Sequence, residues 1–122
     1  MEKVLTINNK EIRMKSTAGT LMRYRNNFGR DLIKDMLRLQ NKLKDVQEQG
    51  KQFEIMELDM FEKIAWCMAK TADNTIPDIE HWLDNFETFD IMKVLPEIMQ
   101  LLVDNLKQEN ESKKKLQEVI EK

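Results

Sequence analysis

The side chains most often recruited for chemistry are scarce in this chain and poorly spaced for it. One histidine, His81, and one cysteine, Cys67, are present, whereas a zinc site gathers three or four Cys, His or carboxylate ligands in close array. A Cys/His zinc site within one chain is therefore not expected. A nucleophilic cysteine needs an electropositive, partly exposed setting. Cys67 instead sits between Trp66 and Met68 in an apolar run, where a buried structural thiol is expected. His81 stands between Glu80 and Trp82 on a short polar-faced segment, the place of a surface or capping histidine rather than a general base. Gly19, Gly29 and Gly50 never cluster, so no phosphate-cradling loop is spelled out. The carboxylates from Asp73 to Asp90 lack the ordered alternation of a calcium loop. The residue set points away from an enzyme, and no cofactor or metal is assigned.

One group remains. Arg23, Tyr24, Arg25 and Arg30 place cations around an aromatic, which suits phosphates and stacked bases. Against a nucleic-acid partner stand the net charge of −2 and the short break at Gly29. A separator of about one or two residues is shorter than the three- to four-residue turn that joins a helix-turn-helix pair. A small dimeric DNA-binding regulator is therefore the alternative, and protein contact the preferred reading of this cluster.

Charge is segregated along the chain. Lys10, Arg13, Lys15, Arg23, Arg25, Arg30, Lys34, Arg38, Lys42 and Lys44 face only Glu11, Asp31 and Asp35 in the first stretch. Residues 71–92 carry Asp73, Asp78, Glu80, Asp84, Glu87 and Asp90 with no lysine or arginine. Two readings stay open: solvated faces that neutralise each other within one fold, or basic and acidic ends that attract each other between copies.

The elements that must hold these residues are mostly helical. At 122 residues with three glycines and two prolines, the chain reads as one mainly α domain, a small helical bundle with a short N-terminal β-hairpin. Val4, Ile7, Ile12 and Met14 flank Asn8-Asn9-Lys10, predicting a hairpin within residues 3–15. Ser16 or Thr17 caps a helix bearing Leu21 and Phe28 on one face, and Gly29 stops it. Asp31 restarts it, with Leu32, Met36, Leu39, Leu43 and Val46 as a short seam that fades into the polar linker 47–52. Asp59 and Glu62 have capping-box spacing, although the helix they open has room to start a turn earlier. Met60 to Met68 is apolar around most of the circumference, as in a central buried helix. A turn through Asp73–Pro77 follows, then a short helix capped by Asp78 with Trp82 and Phe86. Thr88 starts a last long helix with Met92, Leu95, Met99, Leu102 and Leu106 on a seam broadened by Ile91, Val94, Ile98 and Leu101. Pro96 is expected to kink or restart it. Residues 1–106 form the domain, and residues 107–122 a charged, frayed or partner-dependent tail. No secretory signal is seen at the start, no run approaches the ~20 apolar residues that span a bilayer, and a single cysteine fits a reducing cytosol.

The order Thr17-Ala18-Gly19-Thr20-Leu21-Met22-Arg23-Tyr24-Arg25 through Phe28-Gly29-Arg30-Asp31 follows directly on the hairpin. A second block runs from Ala69-Lys70 through Ile76-Pro77-Asp78, Trp82-Leu83-Asp84-Asn85-Phe86 and Phe89-Asp90-Ile91 to Val94-Leu95-Pro96. Together these resemble the tail assembly chaperones of long-tailed phages and prophages of Gram-positive hosts, over residues 1–100. The resemblance implies binding to the long, helix-rich tape measure protein in the host bacterial cytoplasm. It implies self-association, the major tail tube protein as a second contact, and absence from the mature virion. On it, Arg23, Tyr24, Arg25, Phe28, Arg30, Trp82, Phe86, Phe89 and Asp90 form the self-association or partner-binding set. A structural tail component retained in the virion is a further alternative. Nine methionines are compatible with an adaptable helix-binding groove as well as with core. In many such systems ribosomes slip frame near the end of the gene and append a second domain. Lys113-Lys114-Lys115 is compatible with a slippery run of A, or simply with a cationic helix end.

Overall fold

The computed structural model describes the backbone of residues 2–121 and the side chains of residues 2–107. It is mainly α, with five helices and a two-stranded antiparallel hairpin among the described residues. The hairpin joins β1 (Glu2–Ile7) to β2 (Lys10–Lys15), in register from Glu2 opposite Lys15 to Ile7 opposite Lys10. The connection is thus the two residues Asn8 and Asn9, both at positive φ, 52° and 64°. That is the demand of the tight turn matching strand twist, and asparagine tolerates it better than most residues. Leu5, Ile7 and Met14 point inward and are buried, while Val4 on the opposite face is exposed. A lone hairpin would be marginal in water. This one is covered, β2 lying against helix α3 (Ile55–Ala72) and β1 against helix α5 (Ile91–Glu121).

Helix α1 (Ala18–Phe28) begins after Thr17, whose N–H donates to Thr20 Oγ1 at 3.0 Å. It ends at Gly29, where φ of 66° lets the glycine N–H close on the Arg25 carbonyl. Helix α2 (Leu32–Gln49) starts at Asp31, whose carboxylate accepts from the Lys34 N–H at 3.1 Å, and stops at Gly50 with φ of 67°. Leu32, Met36, Leu39 and Leu43 of the expected seam are buried, and Val46 is half-exposed.

Helix α3 (Ile55–Ala72) opens a turn before Asp59, so the Asp59–Glu62 spacing is not its cap. Glu57 does that work: its Oε1 accepts the Glu54 N–H at 2.8 Å. From Met60 onward the helix is buried nearly all round, through Phe61, Ile64, Ala65, Trp66, Cys67, Met68 and Ala69. It packs against α1, α2, α5, β2 and the short helix α4 (Ile79–Leu83).

Helix α5 (Ile91–Glu121) departs from expectation at its start and its seam. It begins at Ile91 rather than Thr88, because Asp90 supplies the cap: its carboxylate accepts the Met92 N–H at 3.0 Å. The buried stripe is Ile91, Val94, Leu95, Ile98, Leu101 and Leu102, while Met92 is exposed. The helix is continuous through Pro96, which forfeits one backbone bond near the N-terminal end. The helix extends beyond the described side chains, so the expectation for the lysine run at residues 113–115 lies outside them.

Trp66 tests this packing. It is buried, donates its indole N–H to the Pro77 carbonyl at 2.9 Å, and meets Phe28 edge-on at 5.8 Å. Trp66→Ala is expected to cost about 3–5 kcal/mol in a urea titration. A loss below about 1 kcal/mol would contradict the buried position of α3.

Candidate interaction surface

The Arg-Tyr-Arg cluster divides once folded. Tyr24 is fully buried. Its hydroxyl donates to Asp35 Oδ2 at 2.5 Å, and its ring meets Phe28 edge-on at 5.5 Å. Tyr24 is therefore a core residue and not a surface contact. Arg30 pairs with the same carboxylate through two bonds, Nε to Oδ2 at 2.7 Å and Nη2 to Oδ1 at 2.9 Å. Arg23 reaches across to α3, donating to Thr71 Oγ1 at 2.6 Å. Phe28 is half-buried, between Tyr24 and Trp66, with Lys63 over its ring. Arg25 alone of the three arginines projects from the surface with no ion pair among the described residues.

Asp35 explains the break between α1 and α2. It lies on the buried side of α2 with Leu32, Met36 and Leu39, and a carboxylate there needs partners. Burial pushes its pKa upward, but the hydrogen bonds from Arg30 and Tyr24 outweigh that and hold it below the usual carboxylate range. Tyr24 is raised by its burial and then by the carboxylate beside it. Gly29, Arg30 and Asp31 form a three-residue connection, longer than the sequence suggested. That length removes the turn-length objection to a helix-turn-helix.

On the outside of this elbow lies a cavity of about 390 Å³, lined by Leu21 and Arg25 of α1, the connection, and Leu32 and Ile33 of α2. Leu37, one turn beyond Ile33, is 54% exposed and Met22 is 55% exposed. Lys34 is exposed and, like Arg25, unpaired among the described residues.

The second block folds into an aromatic cluster. Trp82 and Phe86 are buried and Phe89 is half-buried. Phe89 stacks on Phe61 at 5.0 Å, Trp82 meets Phe86 at 5.1 Å, and Lys10 lies over Phe86. These aromatics pin α4 and the following segment onto α3, so Trp82 and Phe86 are not free to contact a partner. Asp90 is exposed and already serves as the α5 cap. Outside the cluster the carboxylates Asp78, Glu80, Asp84 and Glu87 are exposed. Among the described residues, none from Asp73 to Asp90 forms an ion pair with a lysine or arginine; Asp78 takes only His81 Nδ1, at 2.5 Å. That bond raises His81 and lowers Asp78.

The two charged stretches nonetheless meet within the chain: Arg13 and Asp73 line one cleft and attract each other, and the direct bonds run through polar groups. Lys10 donates to the Asn85 carbonyl at 2.8 Å, and Arg23 bonds Thr71. Burial pushes the Cys67 thiol up to about 12, against the opposing field of Arg23. Among the described residues no three His, Cys, Asp or Glu side chains are grouped to hold a metal ion, and no helix is long and apolar enough to cross a membrane.

Sequence reading missed three buried polar contacts. They are the Tyr24–Asp35–Arg30 group, Glu57 beside Lys42 and Arg38 at 3.7 and 4.0 Å, and Ser16 donating to Asn105 at 3.1 Å. The signal was present: Asp35 and Glu57 each fall within the apolar stripe of their helix. No family model, curated protein or solved structure matches the chain.

Asp35 makes a pH prediction. A carboxyl whose pKa is depressed on folding contributes stability above its unfolded value of about 3.9 and loses it as pH falls through the folded value. Wild-type stability should fall below about pH 4 more steeply than that of Asp35→Asn. Tyr24→Phe should cost about 1–3 kcal/mol at neutral pH, because it withdraws one donor from a buried charge. Equal acid profiles together with a neutral Tyr24→Phe would remove this role.

Proposed function

We propose that the chain is a non-catalytic phage tail assembly chaperone that binds the tape measure protein and keeps it soluble while the tail tube assembles. The resemblance in residues 1–100 supplies the specific partner. The observation that carries the reading is physical: around a closed core, the helices leave Met22, Leu37, Ile55, Met56 and Met92 exposed. Isolated exposed apolar residues need no explanation. Here they recur on α1, α2, α3 and α5, and three of them are methionines, whose unbranched thioethers adapt to varied helical partners. Such a surface suits the helix-in-groove mode, in which repeated apolar anchors of an amphipathic helix meet shallow apolar ground. On this reading the protein acts in the host cytoplasm, several copies serve one tape measure, the tail tube protein is a second contact, and the mature virion lacks it.

Co-expression tests this. The tape measure protein should be insoluble alone and soluble with this chain, and the two should co-purify. Met22→Asp with Leu37→Asp should reduce that recovery while leaving the fold intact by circular dichroism. A tape measure that is no more soluble with the chain than without it would overturn the proposal. Detection of the chain in purified particles at stoichiometric amounts would favour a structural tail component instead. The three-residue elbow with Arg30, Lys34 and Arg38 keeps a DNA-binding regulator as the second reading. A gel shift on duplex DNA that collapses with salt would support it.

A further inference from the structure

The elbow cavity and the acidic α4 ridge sit on one chain with opposite charge, and among the described residues Arg25, Lys34, Glu80 and Asp84 form no ion pair. The cavity has apolar lining from Leu21, Leu32 and Ile33, with Arg25, Arg30 and the α2 cap Asp31 on its wall and Lys34 beside Ile33, so that cations outnumber the single carboxylate there. On α4, Glu80 and Asp84 stand one turn apart, the Asp84 N–H closing on the Glu80 carbonyl at 3.2 Å. Both are exposed, and beside them Ile79 and Leu83 keep part of their surface open.

We infer that the α1–α2 elbow of one copy receives the α4 ridge of a second copy, with Arg25 and Lys34 facing Glu80 and Asp84. This deepens the self-association in the reading above by assigning its two faces. The sockets of the two charge signs differ in shape as well as sign, one a concave wedge and the other a short convex helix. The contact is therefore heterologous: a patch on one copy meets a different patch on the next. Such a contact does not stop at a two-fold dimer, but closes into a ring or continues as a filament. Arg30 is excluded from the pairing, since its guanidinium is committed to Asp35. The two free cations provide attraction, and the apolar lining excludes water around it. Exposed charges are screened over about 8 Å at physiological ionic strength, so assembly weakens as salt rises.

Charge-reversed variants test the assignment without relying on loss alone. In sedimentation, the wild type should rise with concentration past twice the monomer mass, and less so at high salt. Arg25→Glu with Lys34→Glu should weaken association roughly tenfold, equivalent to about 1.4 kcal/mol, and so should Glu80→Lys with Asp84→Lys. Each double variant should keep the wild-type circular dichroism, because none of the four residues is buried. Mixing the two should restore association, since each then offers the other a complementary face. A monomer at all concentrations and salts, a plateau at twice the monomer mass, or a mixture no better than its parts would overturn the inference. A monomer that still solubilised the tape measure would sink this contact and spare the chaperone reading.

Discussion

Everything else in the structure depends on the burial of one helix. From Ile64 to Ala69, α3 has no solvent face, and in the turn before it only Glu62 and Lys63 reach the surface, so it cannot persist without neighbours on nearly every side. The hairpin, α1, α2, α4 and α5 are those neighbours, and each contributes an apolar stripe on one side only. The outcome is a chain whose elements differ in length and type but share a single partner. A helix apolar all round is a buried one, and here that burial sets where every polar face must lie: outward, away from α3.

Orientation around that helix is fixed by polar contacts that would be costly to break. Asp35 ties α1 to α2 through Tyr24 and Arg30, Glu57 ties α2 to α3 through Lys42 and Arg38, and Ser16 meets Asn105 of α5. A buried ion pair is weak evidence for stability, because desolvation offsets the attraction. Leaving one of these carboxylates unpartnered, however, would place an isolated charge in the core. The elbow angle, and with it the shape of the cavity outside it, is thus coupled to the core through Asp35.

Much of this was legible in the sequence. The hairpin with its Asn-Asn turn, the stop at Gly29, the restart at Asp31 and the central run from Met60 to Met68 all follow from local patterns of period, capping and glycine. The start of α3 and the start of α5 were not, because Glu57 and Asp90 compete as caps with Asp59 and Thr88, and local sequence does not rank the candidates; Glu57 is drawn in by its burial, whereas Asp90 caps from the surface. The seam of α5 was misphased for a related reason. Met92 and Val94 are both apolar, and only the position of β1 and α3 decides which one faces in. The candidate surface was the least legible part. Aromatic and cationic residues were read together as a contact set, yet Tyr24, Trp82 and Phe86 are consumed by the core. What is left outside is the charge around them, with Arg25 and Lys34 on one side and the carboxylates of α4 on the other.

On the proposed reading, a rigid α3-centred body carries adaptable apolar and charged faces to a long helical partner, and those faces can vary without disturbing the core. That division rests on α3 being the last element to open. Native-state hydrogen exchange measures it most directly, because segments open with free energies that range from near zero to the global value. Amides from Phe61 to Ala69 should exchange only through global unfolding, with a denaturant dependence equal to that of the whole domain, while α4 opens at lower free energy. Exchange from α3 through local opening, as fast as that of α4, would contradict the account.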